Sequence, residues 1–69
     1  MKWVNFNSIK PGDSVYGLDQ EGRFYFAPSG MKIKEINEKH AIVRHYHGDL
    51  EIVSPTTKFY VKEEVRSPR

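Results

Sequence analysis

Met31-Lys-Ile-Lys-Glu-Ile36, Ala41-Ile-Val-Arg-His-Tyr-His47 and Leu50-Glu-Ile-Val53 are the runs whose reading decides the fold. They are separated by Asn37-Glu-Lys-His40 and by Gly48-Asp49, both turn-forming. The pattern predicts two hairpins that share a middle strand, a three-stranded antiparallel meander. In the first run the apolar spacing widens from two, Met31 to Ile33, to three, Ile33 to Ile36. A bulge near Lys34-Glu35 returns both isoleucines to one face and bends the strand. A helix over the same residues is the competing reading, but its apolar stripe stops after one turn.

The second turn sets which side chains face inward. A two-residue Gly48-Asp49 turn, with Gly at the first central position as a type II′ turn favours, pairs His47 with Leu50 and His45 with Ile52. Ala41, Val43, His45, His47, Leu50 and Ile52 then share the inner face. Ile42, Arg44, Tyr46, Glu51 and Val53 share the outer one, with Arg44 near enough to Glu51 for a cross-strand pair. A three-residue turn opposes Tyr46 to Leu50 instead, because a one-residue slip exchanges the faces of a strand. With the two-residue turn, Ile33, Ile36, Val43, Leu50 and Ile52 are the expected core.

Outward from the meander, Trp3, Val4 and Phe6 suggest a short first strand, or an extended arm that lays an aromatic residue across the core. Lys10-Pro11-Gly12-Asp13 is a turn: Pro presets φ and Gly accepts the left-handed region. A strand starts at Ser14-Val15-Tyr16, is expected to break at Gly17, and gives way to a polar loop over Asp19–Gly22. Arg23-Phe24-Tyr25-Phe26 is an aromatic strand with Phe24 and Phe26 on one face and Arg23 and Tyr25 on the other. Ala27-Pro28-Ser29-Gly30 reads as a breaker. Pro55 ends the meander. Lys58-Phe59-Tyr60-Val61-Lys62 is the last strand, with Phe59 and Val61 inward and Tyr60 outward, and Glu63-Glu64-Val65 are a possible extension. Residues 1–65 form one domain on this reading, and residues 66–69 a disordered basic tail.

The chain has 69 residues and no cysteine, which excludes disulfides, thiolate metal sites and thiol nucleophiles. No apolar run has the length of a signal peptide or a membrane span, so the expected setting is the cytoplasm. The net charge of +2 permits an anionic partner without demanding one. β-branched and aromatic residues dominate the apolar set, which favours strands.

Three features carry a resemblance over roughly residues 9–62. Lys10-Pro11-Gly12-Asp13-Ser14-Val15 is similar to the Pro-Gly-Asp-x-Val turn that opens the first strand of an SH3-like barrel of the KOW and Tudor kind. Met31–Ile36 followed by Ala41-Ile42-Val43 resembles the bent strand and hairpin at the centre of such barrels, and Gly48 closes the next hairpin. The chain lacks the glycine a KOW module carries in its bent strand and the Ala-Leu-Tyr-Asp-Tyr type of opening of peptide-binding SH3 domains. The resemblance therefore implies a fold and no binding residues. The expected class is all-β: a small SH3-like barrel of five to six antiparallel strands around the central three-stranded meander.

No motif in the chain carries catalysis. No Ser, His and Asp lie around a nucleophile elbow, and Glu63 and Glu64 are adjacent and diverge in a strand. His45-x-His47, with Asp49, Glu51 and His40 nearby, is the one metal-like arrangement, and it lacks a third convergent ligand. The expectation is a non-enzymatic module with no cofactor, metal or catalytic residue. Its candidate partner-binding residues are Arg23, Tyr25, Arg44, Tyr46, Tyr60 and Lys62, aromatic and basic side chains assigned to outward faces. Such a set suits a protein partner, which the mild charge favours. It also suits a nucleic acid, whose bases stack on the tyrosines while the cations meet phosphates. A homo-oligomer or assembly subunit joined through exposed edge strands is the third reading.

Overall fold

The computed structural model describes residues 2–62. Its strands are β1 (Lys2–Asn5), β2 (Ser14–Gln20), β3 (Arg23–Ile36), β4 (Ala41–His45), β5 (Leu50–Val53) and β6 (Lys58–Val61), with one 3-10 turn at Phe6–Ser8. All six strands form a single antiparallel sheet in the order β1-β6-β2-β3-β4-β5. The all-β class and the central meander β3-β4-β5 are present. The edge strands β1 and β5 do not pair with each other, so the sheet is open and its closure into a barrel is not seen. The tip of the β2–β3 hairpin does reach across. Gln20 Nε2 donates to Glu51 Oε2 at 3.0 Å, and Thr56 Oγ1 donates to Glu21 Oε2 at 3.1 Å. The suggested extension over Glu63–Val65 and the tail at 66–69 lie outside the described residues.

The core follows from alternation wherever strands are regular. Val15, Leu18, Val43, Ala41 and Phe59 are fully buried, and Phe6, Ile9, Met31, Ile33 and Val53 nearly so. Phe6, held by the 3-10 turn, puts its ring 6.4 Å from that of Phe59. It is therefore Phe6, not Trp3, that carries an aromatic ring from the N-terminal segment into the core. Ile36 and Val61 pack against this cluster from its rim.

Two turns follow directly from residue chemistry. At Lys10–Asp13 the Asp13 N–H donates to the Lys10 carbonyl at 3.1 Å, and Gly12 holds the left-handed φ of 93°. The Gly12 N–H then donates to the Ile33 carbonyl at 2.7 Å, which docks this turn on the meander. At Asn37–His40 the Asn37 side chain accepts the N–H groups of Lys39 and His40.

Bulges let single strands serve both halves of the sheet. Ile33 pairs with Val43 but Glu35 with Ile42, so Lys34 is the extra residue, and Ile33 and Ile36 return to the core side. The other expected interruptions are bulges too. β2 runs through Gly17 instead of breaking there, and β3 runs through Ala27–Gly30. Val15 pairs with Met31 and Gly17 with Phe26, so β3 gains three residues against β2. Pro28 falls in that excess, before the β4 pairing starts at Met31, so no ladder needs its missing N–H. The expected Asp19–Gly22 loop is a tight turn of Glu21 and Gly22, both at positive φ, between paired Gln20 and Arg23.

The β4–β5 register departs from both sequence readings. His45 donates its N–H to the Asp49 carbonyl, and the Gly48 N–H donates to the His45 carbonyl, each at 2.8 Å. The loop is Tyr46-His47-Gly48, with Gly48 at φ 100°. Arg44 therefore opposes Leu50, Val43 opposes Glu51 and Ala41 opposes Val53. Val53 takes the core position expected for Ile52. Leu50 and Ile52 are 54% and 67% exposed. Glu51 shares the inner side with Val43 and His45, so the expected Arg44–Glu51 pair does not form.

Candidate functional site

Cross-strand partners share a face of a sheet. One row runs Trp3–Tyr60–Gly17–Phe26 across β1, β6, β2 and β3. Its rings gather on the outer surface. Trp3 lies 4.8 Å from Tyr60, 6.0 Å from Phe26 and 5.7 Å from Phe24, and Phe26 lies 5.7 Å from Tyr60. Glycine is what permits this. A Cβ on Gly17 would meet the Tyr60 Cβ at 3.0 Å, the Tyr25 carbonyl oxygen at 3.1 Å and Phe26 Cδ1 at 3.2 Å. Tyr60 and Phe26 thus close over bare backbone, as aromatic side chains do across a strand glycine.

The cluster remains open to solvent: Phe24 is 61% and Phe26 55% exposed. Trp3, Phe24, Phe26 and Tyr60 are thus one contiguous aromatic patch, not scattered surface residues. The rings do not lie flat. Trp3 is tilted 39° to Tyr60, and Phe26 is nearly perpendicular to Tyr60 at 84°. The next row of the same face is Asn5–Lys58–Asp19–Phe24, which sets a lysine beside an aspartate. At the other side Tyr16, Phe26, Pro28, Tyr60 and Lys62 line an apolar groove of about 380 Å³, with the Lys62 ammonium 4.8 Å from the centre of the Tyr16 ring.

A second, polar cleft of about 640 Å³ lies between the β2–β3 hairpin and the β4–β5 turn. His45 Nε2 donates to Glu51 Oε1 at 3.0 Å while Gln20 holds the other carboxylate oxygen. Tyr25 meets the His45 ring edge-on at 5.7 Å, and His47 stacks on His45 at 5.5 Å. Burial on its own raises the Glu51 carboxyl, but the hydrogen bonds from His45 and Gln20, with the charge of His45, hold it below its ordinary value of 4.5. His47 Nδ1 approaches Asp49 Oδ2 at 3.4 Å. The cleft's polar groups are thus largely paired with one another. Among the described residues no three His, Asp or Glu side chains converge to hold a metal ion.

The six sequence-predicted binding residues do not form one surface. Arg23 and Tyr25 line the polar cleft. Tyr25 continues the core-side row Val4–Phe59–Leu18–Tyr25 and is exposed because it lies past the core's end, not because it faces outward. Arg44 and Tyr46 border a different groove beside Tyr16 and Gly30, and Tyr46 is 73% exposed at the loop tip. Tyr60 and Lys62 belong to the aromatic face. Trp3, Phe24 and Phe26 were not singled out by sequence. The signal for them was available, because a strand glycine flanked by aromatic strands marks a place where rings close over backbone.

Comparison of the chain with protein-family models, curated proteins and solved structures finds no match. No helix among the described residues is long and apolar enough to cross a membrane.

Proposed function

We propose that this chain is a non-enzymatic, SH3-like binding module that docks a protein partner on the face built by Trp3, Phe24, Phe26 and Tyr60. The observation that carries this reading is the exposure of Phe24 and Phe26 in ring contact with Trp3. Aromatic anchors of this kind supply most of the binding energy of protein interfaces, and a few of them suffice. The rings are tilted to one another by 39° to 84°, so they offer no single flat platform for a row of planar bases. The alternation of Lys58 with Asp19 beside them supports a partner of mixed charge over a polyanion. A nucleic-acid reading needs a run of cations along a stacking surface; Lys58 and Lys62 stand at this face, but Asp19 lies beside Lys58, and Arg23 and Arg44 stand at two other places on the molecule.

The test is capture from nuclease-treated native lysate, with the unaltered chain, Phe24→Ser/Phe26→Ser and Arg44→Ala/Tyr46→Ala as baits. The expected result is a protein retained by the first and third baits and lost by the second. A parallel titration against a short oligonucleotide separates the alternative. Binding that falls steeply with salt, and that Arg44→Ala/Tyr46→Ala weakens, belongs to the nucleic-acid reading and overturns this one.

A further inference from the structure

Leu50-Glu51-Ile52-Val53 is the shortest run of the meander and ends the sheet as β5. Its partner β4 covers one side only. The His45 N–H bond to the Asp49 carbonyl fixes which main-chain groups face β4. Antiparallel ladders alternate, so Glu51 and Val53 turn their N–H and C=O groups to β4, and Leu50 and Ile52 turn theirs to the open edge. The same two residues carry exposed apolar side chains. Edges of soluble proteins are usually blunted by proline, lysine, a bulge or an inward charge. β5 has no proline, lysine or bulge within it; only its four-residue length and the inward charge of Glu51, paired with His45 and Gln20, blunt the edge, and they leave Leu50 and Ile52 exposed along it. The other edge, β1, begins with Lys2 and gives way to the 3-10 turn at Phe6.

We propose that two copies of this chain associate through β5, antiparallel about a twofold axis, with Leu50 of each copy opposite Ile52 of the other. The edge is its own complement in this register. Each Leu50 exchanges both main-chain hydrogen bonds with the Ile52 it faces, which satisfies every edge group of the strand. The apolar side chains of both copies join into one outer row, which Ile42 extends because it pairs with Ile52 in its own sheet. A register that opposes the two Ile52 residues recruits the Ser54 carbonyl, which already accepts the Thr57 N–H at 3.1 Å. The Leu50–Ile52 register also has a cost: the two Glu51 residues meet across the axis, and like charges directly opposite each other destabilise a strand pair.

A four-residue edge buries less than the ~1,200 Å² typical of stable complexes, so the pair is a weak one that forms at high concentration. The experiment is sedimentation equilibrium of the full chain from about 10 μM to about 1 mM, which brackets weak dissociation constants. Amide hydrogen exchange is measured across the same series. The average mass rises with concentration, and the Leu50 and Ile52 amides become protected in step with it. Ile52→Lys, at an exposed position that leaves the core untouched, raises the dissociation constant tenfold or more. Glu51→Gln lowers it about twofold to fivefold by removing the repulsion. A strictly monomeric chain at 1 mM overturns the proposal. So does association that Ile52→Lys leaves unchanged, and so does a loss of association in Phe24→Ser/Phe26→Ser, which assigns the contact to the aromatic face.

Discussion

Gly17→Ala is the substitution that probes most sharply how the aromatic face is built. Gly17 does not hold a positive φ, so alanine meets no backbone penalty there, and the effect comes from space alone. The added methyl meets three atoms at 3.0–3.2 Å. Two of them, the Tyr60 Cβ and the Tyr25 carbonyl oxygen, are fixed by the strands and have no torsion by which to retreat. Overpacking of this kind costs about 1–3 kcal/mol, and the smaller unfolded-state entropy of alanine returns about 0.4–1 kcal/mol. The two ranges leave a net loss of about 0–2.6 kcal/mol, about 1.3 kcal/mol at their midpoints, a large share of the ~3–5 kcal/mol a domain of this size commands. A fall of roughly 4–8 °C in Tm accompanies each kcal/mol at this length. Trp3 is the only tryptophan and lies within the cluster, so its fluorescence reports both the melting and the displacement of Tyr60 and Phe26. An unchanged or raised Tm with an unchanged Trp3 emission refutes closure of the rings over Gly17.

Ile33→Ala removes a fully buried side chain and costs about 2–5 kcal/mol, whereas Ile52→Ala, at an exposed site, stays within about 0.5 kcal/mol; urea melts of both decide the β4–β5 register. Thr57 is buried, and its hydroxyl has no hydrogen-bond partner among the described residues. Thr57→Val therefore raises stability by up to about 1–3 kcal/mol, the cost of an unsatisfied buried polar group, and a destabilised variant in thermal melts contradicts this. Glu51 titrates lower in the folded chain than in the unfolded one, so the unfolded state takes up the proton first as acid is added. Its contribution to stability is whole above pH 4.5 and is lost as pH falls through the lower folded-state value. The side chain is 39% exposed, which keeps that contribution below about 1 kcal/mol. Stability measured from pH 7 down to 2 is accordingly less acid-sensitive in Glu51→Gln than in the parent.

The parts of the fold legible in the sequence are those set by local chemistry or by strict alternation. Pro11 and Gly12 specify their turn whatever surrounds them. The widened spacing between Ile33 and Ile36 has one strand solution, a bulge at Lys34. Phe59 and Val61 alternate with Tyr60 in a strand short enough to stay regular. The β4–β5 register was not legible, because Gly48 suits either the first position of a two-residue turn or the left-handed last position of the loop Tyr46–Gly48. Nothing local distinguishes Ile52 from Val53 as the buried residue; the inward pull of Glu51 toward His45 and Gln20 is a tertiary contact. The aromatic face was half legible. Phe24 and Phe26 share a side by alternation, but Trp3 and Tyr60 join them only through the β1-β6-β2 order, which no nearby residue encodes. Continuous β-strand through Pro28 was hidden for a related reason: a proline is harmless there only because β4 starts farther along.

The central claim is that Trp3, Phe24, Phe26 and Tyr60 are the surface a protein partner uses. Capture from nuclease-treated lysate with Phe24→Ser/Phe26→Ser, run beside the parent chain and Arg44→Ala/Tyr46→Ala, tests it most directly. Both residues are exposed, so the double variant folds, as its far-ultraviolet circular dichroism verifies before use. Retention of one and the same protein by the parent and by Arg44→Ala/Tyr46→Ala, and its loss from the phenylalanine variant, is the predicted result. Equal capture by the parent and the phenylalanine variant contradicts the claim and returns the binding surface to Arg44 and Tyr46 or to the polar cleft.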